Sequence, residues 1–311
     1  MRIGLIAGGP RDTLAELLAD AKKAHADGLA SYWISPNSGV DVLTAVAVIG
    51  HSVPDLELGA SVDPSFLRHP MHLAVQASTV QQAVNGRLVL NIAPPMPRNR
   101  QSFSGYIYEQ PLSHTRRVVT VLRQLLKGEA LDDQGRSMAI RGRIEAPIVA
   151  PPILVSAFKS RMLKFAGSSA DGVVTWMVGH KTLASYVVPR VRLAATQNFR
   201  GAPRIMAAVA VCVTDDPSTA IETARGALED YGALATYRAM LDREGVLAPH
   251  DLMVAGDEDE VKDGLLKFAD AGATDLLVVE LCPDAESAKR TRKLLTSIIH
   301  SNRRRRAEIV A

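Results

Sequence analysis

Histidine, cysteine, serine and carboxylate side chains are the groups with which this chain could do chemistry, and their spacing excludes several kinds of it. None of the eight histidines stands in an H-x-x-x-H or H-E-x-x-H arrangement, and His69 and His72 lack a carboxylate at ligand spacing. No metal site is therefore expected. Ser61, Ser156 and Ser160 lack the G-x-S-x-G turn that would expose a nucleophilic hydroxyl. Cys212 and Cys282 sit in or at the end of apolar runs, where a thiol packs as a small apolar group and a reducing cytoplasm is the expected compartment. What gathers instead at the ends of short apolar runs is small, apolar and hydroxylic. Such a lining suits a flat heterocycle better than a polar sugar, because a planar ring needs a side-chain-poor backbone and a few donors for its edge.

The elements that must position these residues alternate along the chain. Ile3 to Ala7 is a strand, and Asp12 or Thr13 caps a helix whose apolar face is Leu14, Leu17, Leu18 and Ala21. Ala30 to Ser35 is a second strand, followed by a helix from Asp41 to Ile49. Leu56 to Val62 is a third strand, and Pro70 opens a helix that Asn85-Gly86 stops before a fourth strand, Arg87 to Ile92. From Pro94 to Pro111 the periodicity fails, which marks a long loop of the kind that usually carries function. Leu112 to Lys127 is helical with Ser113 to cap it, and Met138 to Arg141, flanked by Gly135 and Gly142, forms a small hairpin excursion. Ile153 to Ser156, Gly172 to Met177, Arg204 to Val213 and Asp275 to Leu281 complete eight strands. The intervening helices are Ser160 to Ser169, Lys181 to Asn198, Pro217 to Glu244 and Glu258 to Ala271, with Ala285 to His300 last; Leu252 to Ala255 is less regular.

Eight strand signals, each followed by a helix signal, predict an α/β fold of the TIM (β/α)8 barrel type with loop insertions after strand four. An open doubly wound sheet is the competing arrangement, but Gly8-Gly9-Pro10-Arg11 does not match its G-x-G-x-x-G fingerprint. Residues 1–301 form one domain, and 302–311, with Arg303 to Arg306, a basic, solvated and disordered tail. The 311 residues are 47% hydrophobic and 22% charged, ordinary for a soluble chain, and the net charge of +3 is too small to argue for a nucleic-acid partner. No apolar run approaches the roughly 18 residues that would cross a bilayer, and Met1-Arg2 leads into too short a run for a signal peptide.

The ordered set Ser61-Val62-Asp63-Pro64, Arg68-His69-Pro70, Ala74, Ala77-Ser-Thr-Val80 and Gly86-Arg87 resembles the bacterial luciferase-like superfamily. Pro152-Ile-Leu-Val-Ser-Ala157, Leu163, Ala166-Gly167, Ala170-Asp171-Gly172 and Thr175-Trp-Met-Val-Gly179 are similar to its deazaflavin branch, whose members use coenzyme F420. The likeness extends through Tyr237-Arg-Ala-Met-Leu-Asp-Arg-Glu-Gly245 and so covers nearly the whole chain.

The resemblance implies a deazaflavin lying across the C-terminal mouth of the barrel and a non-prolyl cis peptide at Ser61-Val62 bulging against its ring. It implies cofactor contacts from Ser61, Val62, Asn91, Ala157, Thr175 and Met177. The charged tail is expected over two helix starts rich in N–H groups, Phe158-Lys159-Ser160 and Gly179-His180-Lys181. Asn37, His69, Asp63 and His180 are the candidates for proton transfer on the substrate side. The implied activity is hydride transfer between the coenzyme C5 and a small organic substrate, with neither nucleic acid nor membrane as partner. The roof of the pocket is expected from Pro94 to Tyr108 and Ala248 to Ala255. Relatives pair as homodimers, and the apolar helices Leu43 to Ile49 and Leu73 to Val84 are the contact surfaces expected here. Two stretches depart from the pattern: Ser35-Pro-Asn-Ser38 where relatives often carry a histidine, and Asn91-Ile-Ala-Pro-Pro-Met96 where they carry a glycine-rich turn. An FMN-dependent monooxygenase and a non-catalytic cofactor-binding relative are the alternatives.

Overall fold

Eight parallel strands close into a ring in the computed structural model: β1 (Arg2–Ala7), β2 (Ser31–Ile34), β3 (Glu57–Val62), β4 (Leu88–Ile92), β7 (Ile153–Ser156), β8 (Gly172–Trp176), β9 (Arg204–Val213) and β11 (Asp275–Glu280). The pairing of β8 with β9, Gly172 opposite Arg204 through Trp176 opposite Ala208, shuts the barrel. The structure describes residues 1–7, 13–35, 39–62, 68–93, 110–134, 139–147 and 149–310, excluding the side chains of 302–310. Asn37, Asp63 and the expected roof up to residue 108 lie outside them. Between β4 and β7 stand the helix α4 (Pro111–Leu125) and a two-stranded antiparallel excursion, β5 (Leu131–Asp133) with β6 (Ile140–Gly142).

The helices around the ring are α1 (Leu14–Ala26), α2 (Val42–Ser52), α3 (Pro70–Ala83), α5 (Ser160–Ser169), α7 (Pro217–Gly232), α8 (Ala235–Glu244), α9 (Glu258–Asp270) and α10 (Ala285–Val310). The helical run after β8, α6, comprises His180–Thr182, a π-type stretch Leu183–Val187, and Val188–Gln197. α10 continues into the stretch set apart above as a basic tail. Local chemistry explains the starts: Thr13 and Glu16 form a reciprocal capping box on α1, and Asp41 caps α2 through Thr44 N. α4 differs from expectation. Ser113 lies inside it, because Pro111 takes the first helical position, where its missing N–H is no loss, and Gln110 precedes it in a left-handed conformation.

The barrel interior is layered. At the N-terminal end, the first residues of four strands form an ionic layer: Arg204 binds Asp275 at 2.6 Å and Glu57 at 2.8 Å, and Arg2 binds Glu57 at 3.1 Å. Above it Trp33, Val89, Leu154, Val174, Met206 and Leu277 fill the middle. Gly59 makes room for Trp33, since a Cβ there would stand 1.8 Å from the indole. Arg87, beside the same end, donates to the carbonyls of Gly50, Val53 and Leu56. Asp171 holds Arg123 and Arg200 and accepts from Ile153 N. These residues stabilise the closed end and leave the other for chemistry.

The segment expected as one helix from Pro217 to Glu244 is two helices. Leu234 is extended between them, and Gly232 lies against Pro249, whose Cδ would be 3.3 Å from a Cβ there. A straight helix of that span would extend about 40 Å. The break instead folds α8 back over the C-terminal mouth. The irregular stretch that follows is a 3-10 turn (Pro249–Leu252) and the short strand β10 (Val254–Gly256), which extends the sheet along the upper half of β9.

Candidate functional site

The uppermost layer of the barrel is polar. Asn91 on β4, 2% exposed, donates through Nδ2 to Ser61 Oγ on β3 at 3.1 Å and to Ser156 Oγ on β7 at 3.0 Å. The strand register places these side chains side by side, with Ser61 opposite Asn91. The three form a floor beneath the strand ends, with hydroxyls still able to accept or donate upward.

β3 ends without the expected bulge. The Ser61–Val62 peptide is trans, β3 stays in register with β4 to its last residue, and Val62 O accepts from Ala93 N at 3.0 Å. His69 caps α3: its Nδ1 accepts from Met71 N at 3.1 Å. That bond occupies Nδ1 and leaves Nε2 for other work.

Two helix starts face the mouth, and they differ. α5 opens after β7 with Lys159 as its N-cap and no side-chain cap, so Ser160 is the first helical residue rather than the cap. The N–H groups of Ser160 and Arg161 have no acceptor among the described residues, and the Lys159 side chain is exposed. α6 opens after β8 with Gly179 as its N-cap, and there the amides are taken. Glu244, at the end of α8, accepts from Lys181 N at 3.1 Å and from Thr182 N at 2.7 Å, and lies 3.8 Å from His180 Nδ1. Its side chain is 5% exposed. A Cβ on Gly179 would stand 2.1 Å from the Glu244 carboxyl carbon, so only glycine fits beneath it. The sequence assigned both starts to a ligand's charged tail; the second already holds an anion of the protein's own.

Aromatic rings line one side between the two starts. Phe158 meets Tyr237 at 4.8 Å, Tyr237 meets Tyr231 at 5.0 Å, and Tyr231 meets Trp176 at 6.0 Å. Burial, and then Tyr231 beside it, push the Tyr237 phenol well above the ordinary tyrosine range. Burial also raises Tyr231, partly offset by its bond with the Trp176 indole. Met177, directly after β8, is 2% exposed and has φ of 54°, an unusual state for a bulky residue. The turn points it into a cluster with Ala210, Cys212, Leu228 and Met253. Ala157 is buried, and the buried Thr175 donates its hydroxyl to Met206 O at 3.4 Å. Both cysteines are free; burial, then the neighbouring Cys282, push the Cys212 thiol up to about 12.

Glu244, Ser156 and Tyr237 are the site residues that spacing alone did not single out as chemical. One signal for Glu244 was available: an acid in the last turn of a helix faces the negative end of the dipole, an unfavourable place unless it is held elsewhere. Among the described residues no group of three or more metal-ligating side chains occurs, and no helix is long and apolar enough to cross a membrane.

A family model described as luciferase-like monooxygenase matches residues 1–275. The chain belongs to that family. The luciferase-like resemblance read from the sequence is thereby borne out, as is the barrel. A 5,10-methylenetetrahydromethanopterin reductase of Methanolobus tindarius is 24% identical over 213 residues, 68% of this luciferase-like chain and 65% of the reductase. The match thus spans just under two thirds of that relative. Among solved structures, an F420-dependent secondary alcohol dehydrogenase in complex with an F420-acetone adduct superposes with a TM-score of 0.81 at 17% identity, covering 94% of this chain and 97% of that one. The oxygenating constituent of 3,6-diketocamphane monooxygenase from Pseudomonas putida, in complex with FMN, gives 0.75 at 17% identity over 95% and 97%. Both likenesses are of fold.

Proposed function

We propose that this luciferase-like chain is a deazaflavin-dependent oxidoreductase that uses coenzyme F420 and transfers hydride between the coenzyme C5 and a small organic substrate. The observation that carries the reading is the pairing of an aromatic wall with the open helix start of α5 on the same side of the mouth. A flat ring and one anionic tail fit that pair. Family membership, and relatives named for F420 and methanopterin chemistry, support it.

The bound deazaflavin supplies the site for hydride gain and loss, a two-electron step that amino-acid side chains do not provide. The chain's own residues do the rest. Phe158 and Tyr237 would line one side of the ring, and the Ser61–Asn91–Ser156 floor would present hydroxyls to its edge. Lys159, with the amides of Ser160 and Arg161, holds the tail through charge-assisted hydrogen bonds. His69, through Nε2, moves a proton on the substrate side, with Asn37 and Asp63 as further candidates from the sequence. The protein works in the cytoplasm as a homodimer, pairing through α2 and α3. Most of their apolar residues pack in the barrel's own core, while Val48 and Val75 are exposed.

The test is a fluorescence titration of oxidised F420 with the protein, followed by hydride exchange across alcohols, aldehydes and reduced pterins. Saturable binding with exchange on one class is the expected result. No binding of either redox form refutes the reading. The FMN-bound neighbour favours a second one, an FMN-dependent monooxygenase, for which oxygen uptake with reduced FMN is the signature. Tight F420 binding with no exchange on any class would make the chain a non-catalytic binder, a reading motivated by its altered turns at residues 35–39 and 91–96.

A further inference from the structure

The two helix starts at the mouth differ in what already sits on them. We infer that Glu244 is a specificity-determining residue: its carboxylate occupies the anion seat at the start of α6, so that a ligand's phosphate is confined to the start of α5. The inference rests on the proposed cofactor reading for its ligand, and on geometry alone for its seat.

Three features show that the seat is built for an anion. Lys181 N and Thr182 N converge on the two oxygens of one carboxylate, at 3.1 and 2.7 Å. Gly179 provides the clearance that carboxylate needs. The Thr182 hydroxyl, in the same turn, is fully buried and has no hydrogen-bond partner among the described residues. The helical run behind these amides continues unbroken from His180 to Gln197, so its dipole favours negative charge at this end. His180, 3.8 Å away, adds positive charge whenever it is protonated.

With Glu244 in place, a phosphate brought to the same seat would meet a buried like charge. Removing the carboxylate leaves two amides unsatisfied in a space the size of the lost side chain, beside a Thr182 hydroxyl that is unpartnered already. An inorganic oxyanion can then fill the space. Among the described residues, the α5 start holds no such internal anion.

The test needs no substrate. E244G, E244A, E244Q and the wild type are melted in tens of millimolar inorganic phosphate and in chloride of equal ionic strength. E244G and E244A should melt lower than the wild type in chloride and recover much of the loss in phosphate. The wild type and E244Q, whose seats stay filled, should respond little. A variant that folds only in phosphate is the same rescue in stronger form. Phosphate shifts that are alike in all four proteins, or a variant unfolded in both salts, overturn the inference.

The second arm compares F420 with its phosphate-free chromophore, the deazariboflavin. E244A should bind F420 at least about fivefold more tightly than the wild type does, with affinity for the chromophore unchanged. Equal changes for both compounds, or none, contradict the inference. If neither compound binds the wild type, the cofactor reading fails, while the phosphate melts still decide the role of Glu244.

Discussion

The helix start after β7 and the helix start after β8 are neighbours on one rim, with the same orientation and the same chemistry of free N–H groups. Among the described residues nothing closes the first, which lies beside an exposed lysine, and the other is closed by a buried glutamate from the second helix further on. Anion affinity at a helix start therefore depends less on the turn itself than on what the rest of the chain brings to it. The first keeps its amides without an acceptor among the described residues, and the closed one ties α8 to the barrel.

That division makes opposite predictions for the two sides. The largest effect should come from Gly179→Ala, which drives a methyl into the Glu244 carboxylate and strips a buried charge of its partners. The cost should be about 3 kcal/mol of stability, read from urea unfolding midpoints at constant m-value. A loss near zero would mean that the closed start is not closed. Asn91→Ala removes the buried amide that bridges the half-buried Ser61 and Ser156 and should cost about 1 kcal/mol in the same assay. Lys159→Ala at the open start should leave stability within about 0.5 kcal/mol and weaken F420 about tenfold. A stability loss as large as that of Gly179→Ala would erase the contrast between the two starts.

The smallest effect sharpens the description of the wall beside the open start. The Tyr237 phenol is raised by burial, so the native protein keeps its proton at a pH where the unfolded chain, near 10, has lost it. Its contribution to stability is complete below pH about 10 and disappears as the pH rises through the higher native value. Comparing Tyr237→Phe with the wild type in ultraviolet titrations should remove one late-ionising tyrosine. An unchanged phenolate curve would place Tyr237 in water rather than in the wall.

Much of the fold was legible in the sequence because its signals are local. Short apolar runs marked the eight strands, and Thr13, Asp41 and Asn85-Gly86 marked helix ends within a residue or two. The motif residues that made the family recognisable, Arg87 and Asp171, turn out to hold the closed end of the barrel together. Their role is tertiary, and spacing could not reveal it. The candidate site was legible in part. Ser61, Asn91 and Lys159 lie at strand ends or helix starts, where the fold rule alone leads. The state of the α6 start was not legible, because it depends on a break at Gly232 and Leu234 inside what reads as one continuous helical pattern. The Tyr231–Tyr237 contact depends on the same break. A cis peptide at Ser61–Val62 came from resemblance rather than from these residues, and the bond is trans.

The central claim is that a bound deazaflavin rests on the aromatic wall with its charged tail on the α5 start and not on the α6 start. Backbone amide shifts in a nitrogen-15 spectrum, followed as oxidised F420 is added, read both places at once. The account predicts saturable shifts at Lys159, Ser160 and Arg161, with Lys181 and Thr182 unmoved. Shifts at Lys181 and Thr182, with the α5 amides silent, would contradict it.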